Sequence, residues 1–86
     1  MSVRIDKYLW SVRLFKTRTI ASDACKTGHV IVNDLVCKPS KNISGGEILR
    51  IKKGPIWRIY KVKDVLEKRV GAKLVSEYLE EVISEQ

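Results

Sequence analysis

Thr17-Arg18-Thr19-Ile20-Ala21-Ser22-Asp23-Ala24-Cys25-Lys26-Thr27-Gly28-His29-Val30-Ile31-Val32-Asn33-Asp34 is the stretch in which the chain changes its period. Up to Lys26 the small apolar residues Ile20, Ala21, Ala24 and Cys25 fall on one helical face, and their size allows close approach of a neighbouring helix. Thr17 is suited to cap the start of that helix, because its hydroxyl can accept from a free N–H of the first turn. Gly28 is suited to end it in a left-handed conformation. From Val30 the spacing becomes two, as in a strand, and Asn33-Asp34 supplies the two residues tolerant of positive φ that a tight hairpin needs. Helix, strand and turn within eighteen residues predict an α+β fold.

Reading outward toward the N-terminus, Ile5, Tyr8, Leu9, Val12 and Phe15 recur at helical spacing and predict a first amphipathic helix over residues 4 to 15. Arg4, Lys7 and Ser11 project to one flank, Asp6 and Arg13 to the other, and Trp10 and Leu14 lie opposite the core face. That exposed apolar pair predicts a second packing surface, joined by Trp57 and Tyr60, for the C-terminal part of the chain. Reading the other way, Leu35 to Lys38 forms the return strand, Pro39-Ser40 ends it, and Ser44-Gly45-Gly46 leads into a strand over residues 47 to 52. Lys53-Gly54-Pro55 turns the chain into a further strand from Ile56 to about Val65. Val75, Tyr78, Leu79, Val82 and Ile83 mark a helical stripe and predict a closing helix over residues 72 to 85, with an acidic outer face that buttresses the fold. The expected architecture is two N-terminal helices and a small, mainly antiparallel sheet, followed by an added strand and a C-terminal helix. All 86 residues read as one domain, with its core motif over residues 3 to 52 and an extension over 53 to 86.

Charge divides the chain unequally. Residues 1 to 53 hold eleven Lys and Arg against four Asp and Glu, and residues 54 to 86 hold six against six, so the whole net charge of +7 belongs to the first part. Arg4, Lys7, Lys16, Arg18 and Lys26 come from two helices whose packing brings them to one side, as on a surface that holds phosphates. Arg18, Ser22 and Lys26 follow one another at i, i+4 and i+8 along one flank. No apolar run approaches the roughly 18 residues of a membrane-spanning helix. The charged, amphipathic start, unlike a secretory signal, predicts a cytoplasmic protein. Cys25 and Cys37 lie twelve residues apart, unlike a close zinc-ligand pair, and with a single histidine they predict neither a metal site nor a disulfide but two reduced core thiols. His29 has no second acid, base or nucleophile beside it in sequence, so no catalytic group is expected. Asp6 is expected to stabilise its own helix and to orient a neighbouring arginine.

The string Arg4-Ile5-Asp6-Lys7-Tyr8-Leu9-Trp10, then Lys16-Thr17-Arg18-Thr19-Ile20-Ala21, then Gly28-His29-Val30-Ile31-Val32-Asn33, with Lys38-Pro39-Ser40 and Gly46-Glu47-Ile48 behind it, resembles the RNA-binding domain first defined in ribosomal protein S-four, the alpha-L motif. Two positions depart from that pattern: Asp34 stands where the family commonly has Gly, and Glu47 where it has Asp. Small size, the aromatic residues Tyr8 and Trp10, the Leu14-to-Arg18 stretch and the segment after Gly54 are most similar to the family of the fifteen-kilodalton bacterial heat-shock protein, although this chain is shorter and lacks a long basic tail. The resemblance implies a non-catalytic binder of ribosomal RNA on the large subunit carrying a stalled nascent chain or peptidyl-tRNA, in ribosome rescue. It implies structured RNA, ribosomal and also transfer RNA, as the partner of a monomer that needs no cofactor.

The candidate RNA-binding residues are Arg4, Lys7, Arg13, Lys16, Thr17, Arg18, Ser22, Lys26, Asn33, Lys38 and Lys41. Thr17 and Asn33 are first a cap and a turn residue, with phosphate or 2′-OH contact secondary. Lys38 and Lys41 extend the basic surface around Pro39. Three other readings stay open: a general structured-RNA or DNA binding module without ribosome specificity, an accessory subunit of an RNA-modifying enzyme, and an adaptor that recruits a protein through its acidic C-terminal segment.

Overall fold

The computed structural model describes residues 2–82. In chain order the elements are β1 (Val3–Arg4), α1 (Ile5–Ser11), α2 (Arg18–Lys26), β2 (Val30–Val32), β3 (Leu35–Val36), β4 (Asn42–Ile43), β5 (Ile48–Lys53), β6 (Ile56–Val62), a 3-10 turn (Ala72–Glu77) and β7 (Leu79–Val82). β1 pairs with β4 in a two-stranded ladder, and the other five strands form an antiparallel sheet in the order β3-β2-β5-β6-β7. The alternation of β2, β5 and β6 sends Val30, Val32, Leu49, Ile51, Tyr60 and Val62 to one face of the sheet. There they are buried with Ile5, Tyr8, Leu9 and Val12 from α1 and Ala21 and Cys25 from α2 in a single core. No helix among the described residues is long and apolar enough to cross a membrane.

Local chemistry sets the element ends. The Thr17 hydroxyl accepts from the Ile20 N–H at 3.1 Å and starts α2. At the other end Gly28 takes φ 78°, and the N–H groups of Gly28 and His29 donate back to the carbonyls of Cys25 (3.2 Å) and Ala24 (2.9 Å). These are the paired bonds of a helix terminated by a left-handed residue. Asn33 and Asp34 adopt φ 49° and 71°, which sets the tight β2–β3 turn.

α1 ends earlier than its apolar spacing implies. Arg13 adopts φ 65°, and the N–H groups of Arg13 and Leu14 donate to the carbonyls of Trp10 (3.1 Å) and Leu9 (3.0 Å). The same termination as at Gly28 is thus built on an arginine. Phe15 still packs against the core, so its spacing reports burial and not helix, and Leu14, expected opposite the core face, packs against the core as well because the chain leaves the helix at Arg13. Ser11, expected on a flank, is fully buried, and its hydroxyl has no partner among the described residues.

The C-terminal helix expected over residues 72 to 85 is replaced by the 3-10 turn and the strand β7, with Ile83 and the residues after it outside the described part. Leu79 faces inward beside Val62, and Val82 stands opposite Ile59. The free edge of β6 supplies the reason: pairing satisfies its backbone groups, sets Glu80 opposite Lys61, and lets Arg58 donate to Glu81 at 2.8 Å. The second packing surface exists in altered form. Arg69 stacks over Trp10 at 5.7 Å and donates to its carbonyl at 3.2 Å, whereas Tyr60 joins the main core and Trp57 stays 40% exposed.

The buried Tyr8 hydroxyl donates to the Tyr78 carbonyl at 2.7 Å and ties α1 to the extension. Burial, helped by the Asp64 carboxylate, pushes that phenol far above its ordinary range, so it remains a donor.

Candidate nucleic-acid interface

The basic surface is organised around a buried acid. Asp6, only 4% exposed in the first turn of α1, accepts from Arg4 Nε (3.3 Å) and Nη2 (3.1 Å), one bond to each carboxylate oxygen. Arg18 Nη2 reaches the same carboxylate at 3.4 Å from the first turn of α2. The two guanidinium groups are therefore held side by side, while their side chains remain 51% and 46% exposed. An arginine tethered through one edge of its planar fork keeps other N–H groups for a phosphate. The arrangement fulfils the expectation that Asp6 orients a neighbouring arginine, and it does so for two.

An open groove of about 370 Å³ is lined by Ser2, Val3, Arg4, Lys7, Arg18, Asn42 and Glu67. Arg18 also borders a second depression, formed with Asp6, Thr19, Ser22, Asp23 and Lys26 along α2. The two hollows share Arg18 as a wall and together form a track across both helices. At the start of α1 no side chain acts as a cap; instead the Ile5 and Asp6 N–H groups donate to the carbonyls of Lys41 (2.8 Å) and Pro39 (3.3 Å). The segment carrying Lys38 and Lys41 is thereby fixed against the end of the track. The N–H groups of Arg18 and Thr19, at the start of α2, donate to nothing among the described residues. They add a positive helix end to the same place.

The structure thus brings together Arg4, Lys7, Arg18, Ser22 and Lys26, with Lys38 and Lys41 at one margin. Lys16 is exposed beside Thr17, whose hydroxyl is occupied by the cap. Arg13 is separate: its guanidinium donates to the Val70 carbonyl at 3.3 Å and borders another hollow with Tyr60, Val75 and Leu79. Asn33 is occupied by the fold, since its amide donates to Glu47 at 3.3 Å and its oxygen accepts from the Ile48 N–H at 3.0 Å. The departures Asp34 and Glu47 have structural partners. Asp34 accepts from Arg50 at 3.4 Å, and Glu47 accepts from the Ser44 N–H at 2.6 Å.

Sequence reading missed Glu67, which pairs with Lys7 at 3.2 Å and moderates the charge of the groove, and it missed Asn42 in the groove wall. Glu67 arrives from sixty positions away, so no local pattern announces it. Cys25 and Cys37 are both buried and free. The neighbouring Cys37 thiol, then burial, pushes the Cys25 thiol far up and keeps it protonated. Among the described residues no group of three or more His, Cys, Asp or Glu could hold a metal ion.

With this geometry in place, residues 3–49 match the family model of the S4 domain. The chain belongs to the S4 domain family. It is 38% identical over 79 residues to the heat shock protein 15 homolog of Aeromonas salmonicida, which covers 92% of this chain and 60% of that protein. It is 41% identical over 54 residues to the RQC P-site tRNA stabilizing factor of Listeria monocytogenes, covering 63% of this chain and 59% of that protein. The chain accordingly spans about 60% of the length of these relatives. Among solved structures, the trimeric heat shock protein 15 of Vibrio cholerae superposes with a TM-score of 0.90 at 29% identity, covering 95% of this chain and 83% of that one. The S4 match ends inside β5, so β6 and β7 lie beyond it, whereas the Vibrio structure extends the likeness over nearly the whole chain.

Proposed function

We propose that this S4 domain protein is a non-catalytic binder of structured RNA that acts on ribosomal RNA of a large subunit carrying peptidyl-tRNA or a stalled nascent chain. The observation that carries the reading is the Asp6 carboxylate holding Arg4 and Arg18 side by side at the junction of two basic hollows. The spacing suits shape and backbone recognition, since A-form RNA offers side chains little readable sequence in its deep major groove. The ribosomal target rests on the likeness to heat shock protein 15 and to factors named for stabilising a P-site tRNA. In this reading the chain works in the cytoplasm, as a monomer on RNA, and without chemistry of its own.

The test is co-sedimentation with large subunits prepared with and without peptidyl-tRNA, at two salt concentrations. The expected result is salt-resistant enrichment on the loaded subunit, lost in an Arg18→Glu, Lys26→Glu variant and kept in a Lys63→Glu, Lys73→Glu variant of equal charge change. Equal losses in both variants would remove the proposed surface. Indifferent, salt-labile binding to every particle would reduce the function to general nucleic-acid affinity.

A further inference from the structure

The face of the five-stranded sheet turned away from the helices is covered by no described element. Strand register places Val36, Ile31, Arg50, Ile59 and Val82 in one row across all five strands of this face. The next row sets Lys52 beside Trp57, and the row on the other side sets Ile48 beside Lys61 and Glu80. Trp57 is 40% exposed, Val36 66% and Ile48 36%, so the apolar atoms of this face meet solvent directly. Three cations stand against one glutamate. The only ion pair of Arg50 among the described residues is with an 84% exposed Asp34, a surface contact that a phosphate readily displaces.

From this pattern we infer a second nucleic-acid site, on the outer sheet face, that takes unpaired bases of a single-stranded RNA segment. Trp57 provides a ring on which a base stacks, Ile59 two residues along the same strand provides flat apolar floor beside it, and Ile31 continues that floor beyond Arg50. Arg50 and Lys52, two residues apart on one strand and so about 7 Å from each other, follow the phosphates. A dry protein–protein interface is the poorer match, because lysine is depleted in interface cores, whereas here a cation interrupts every apolar row. The site is independent of the helix track, which holds duplex backbone through Arg4 and Arg18.

The experiment compares an unstructured uridine ten-mer with a blunt RNA hairpin by fluorescence anisotropy, using wild type, Trp57→Ala, Trp57→Phe and Arg18→Glu. Trp57→Ala is expected to weaken ten-mer binding about tenfold, the loss of one base stack, and to leave the hairpin within about twofold. Trp57→Phe restores most of the affinity, and Arg18→Glu shows the reverse selectivity. The inference is overturned if wild type does not bind the ten-mer, or if Trp57→Ala leaves ten-mer binding unchanged. It is equally overturned if that variant weakens both probes alike, or lowers the sedimenting mass of the free protein, which would make the face a contact between copies. Loss of the Arg18→Glu effect on the hairpin alone would count against the helix track and leave the sheet site standing.

Discussion

Asp6 sets charge against geometry. It is one of only four acids among the first 53 residues, and simple Coulomb counting makes it unfavourable to any bound phosphate. Its position argues the opposite, since removing it frees two long side chains whose rotamer freedom must then be lost on binding. Asp6→Asn is therefore expected to weaken affinity for a structured RNA by about threefold to tenfold although the protein becomes more positive, as the two charge-assisted tethers are lost. Titration of a hairpin RNA with both proteins, after circular dichroism shows both folded, decides it; tighter binding by the variant would make Asp6 a structural acid only. At this scale the sequence was readable wherever the chemistry is local. Thr17 as a cap, Gly28 as a helix end and Asn33-Asp34 as a turn act within a few residues of themselves. The pairing of Asp6 with Arg18 spans twelve positions and that of Lys7 with Glu67 sixty, and only the folded chain brings them within reach.

Two elements differ from their sequence patterns for different reasons. α1 loses its last turn because Arg13 takes a left-handed backbone without the glycine that normally announces one. An L side chain in that conformation is strained, so Arg13→Gly is expected to stabilise the fold by about 0.5–1 kcal/mol, less the small worth of one exposed hydrogen bond. Urea unfolding measures this, and RNA titration of the same variant shows unchanged affinity, since Arg13 lies apart from the Arg4–Arg18 track. A fall in affinity without a change in stability would place Arg13 back in the binding surface. The C-terminal segment differs because its pattern was ambiguous. Val75, Tyr78, Leu79 and Val82 fit a helical stripe, but Leu79 and Val82 with two glutamates between them also fit a short edge strand. The open edge of β6, absent from any local window, selects the second. The helix, hairpin and strand of the S4 match lack this ambiguity because caps and turns mark their ends.

Taken together, the described residues form a basic helix layer, a single core and a sheet face that none of them covers, and Tyr8 ties the first part of the chain to the last. That residue joins the S4 region to the extension, through a hydroxyl shielded from water and a carbonyl that also accepts from Lys63 and Asp64. Tyr8→Phe is expected to cost about 1 kcal/mol at neutral pH. Above the ordinary phenol value of about 10 the unfolded chain releases the Tyr8 proton while the folded one keeps it. The folded state then binds more protons, and stability falls as pH rises, by up to about 1.4 kcal/mol per pH unit from this group. Urea melts between pH 9 and 11 are expected to show a shallower decline for Tyr8→Phe than for wild type; parallel declines would assign the alkaline loss to other groups. The same bond bears on how the protein is made. Its two halves are separated by seventy residues of synthesis, so a chain emerging N-terminus first carries the Tyr8 phenol long before the Tyr78 carbonyl that accepts from it. Translation therefore delivers both arginines well before the carbonyl that ties their helix to the extension.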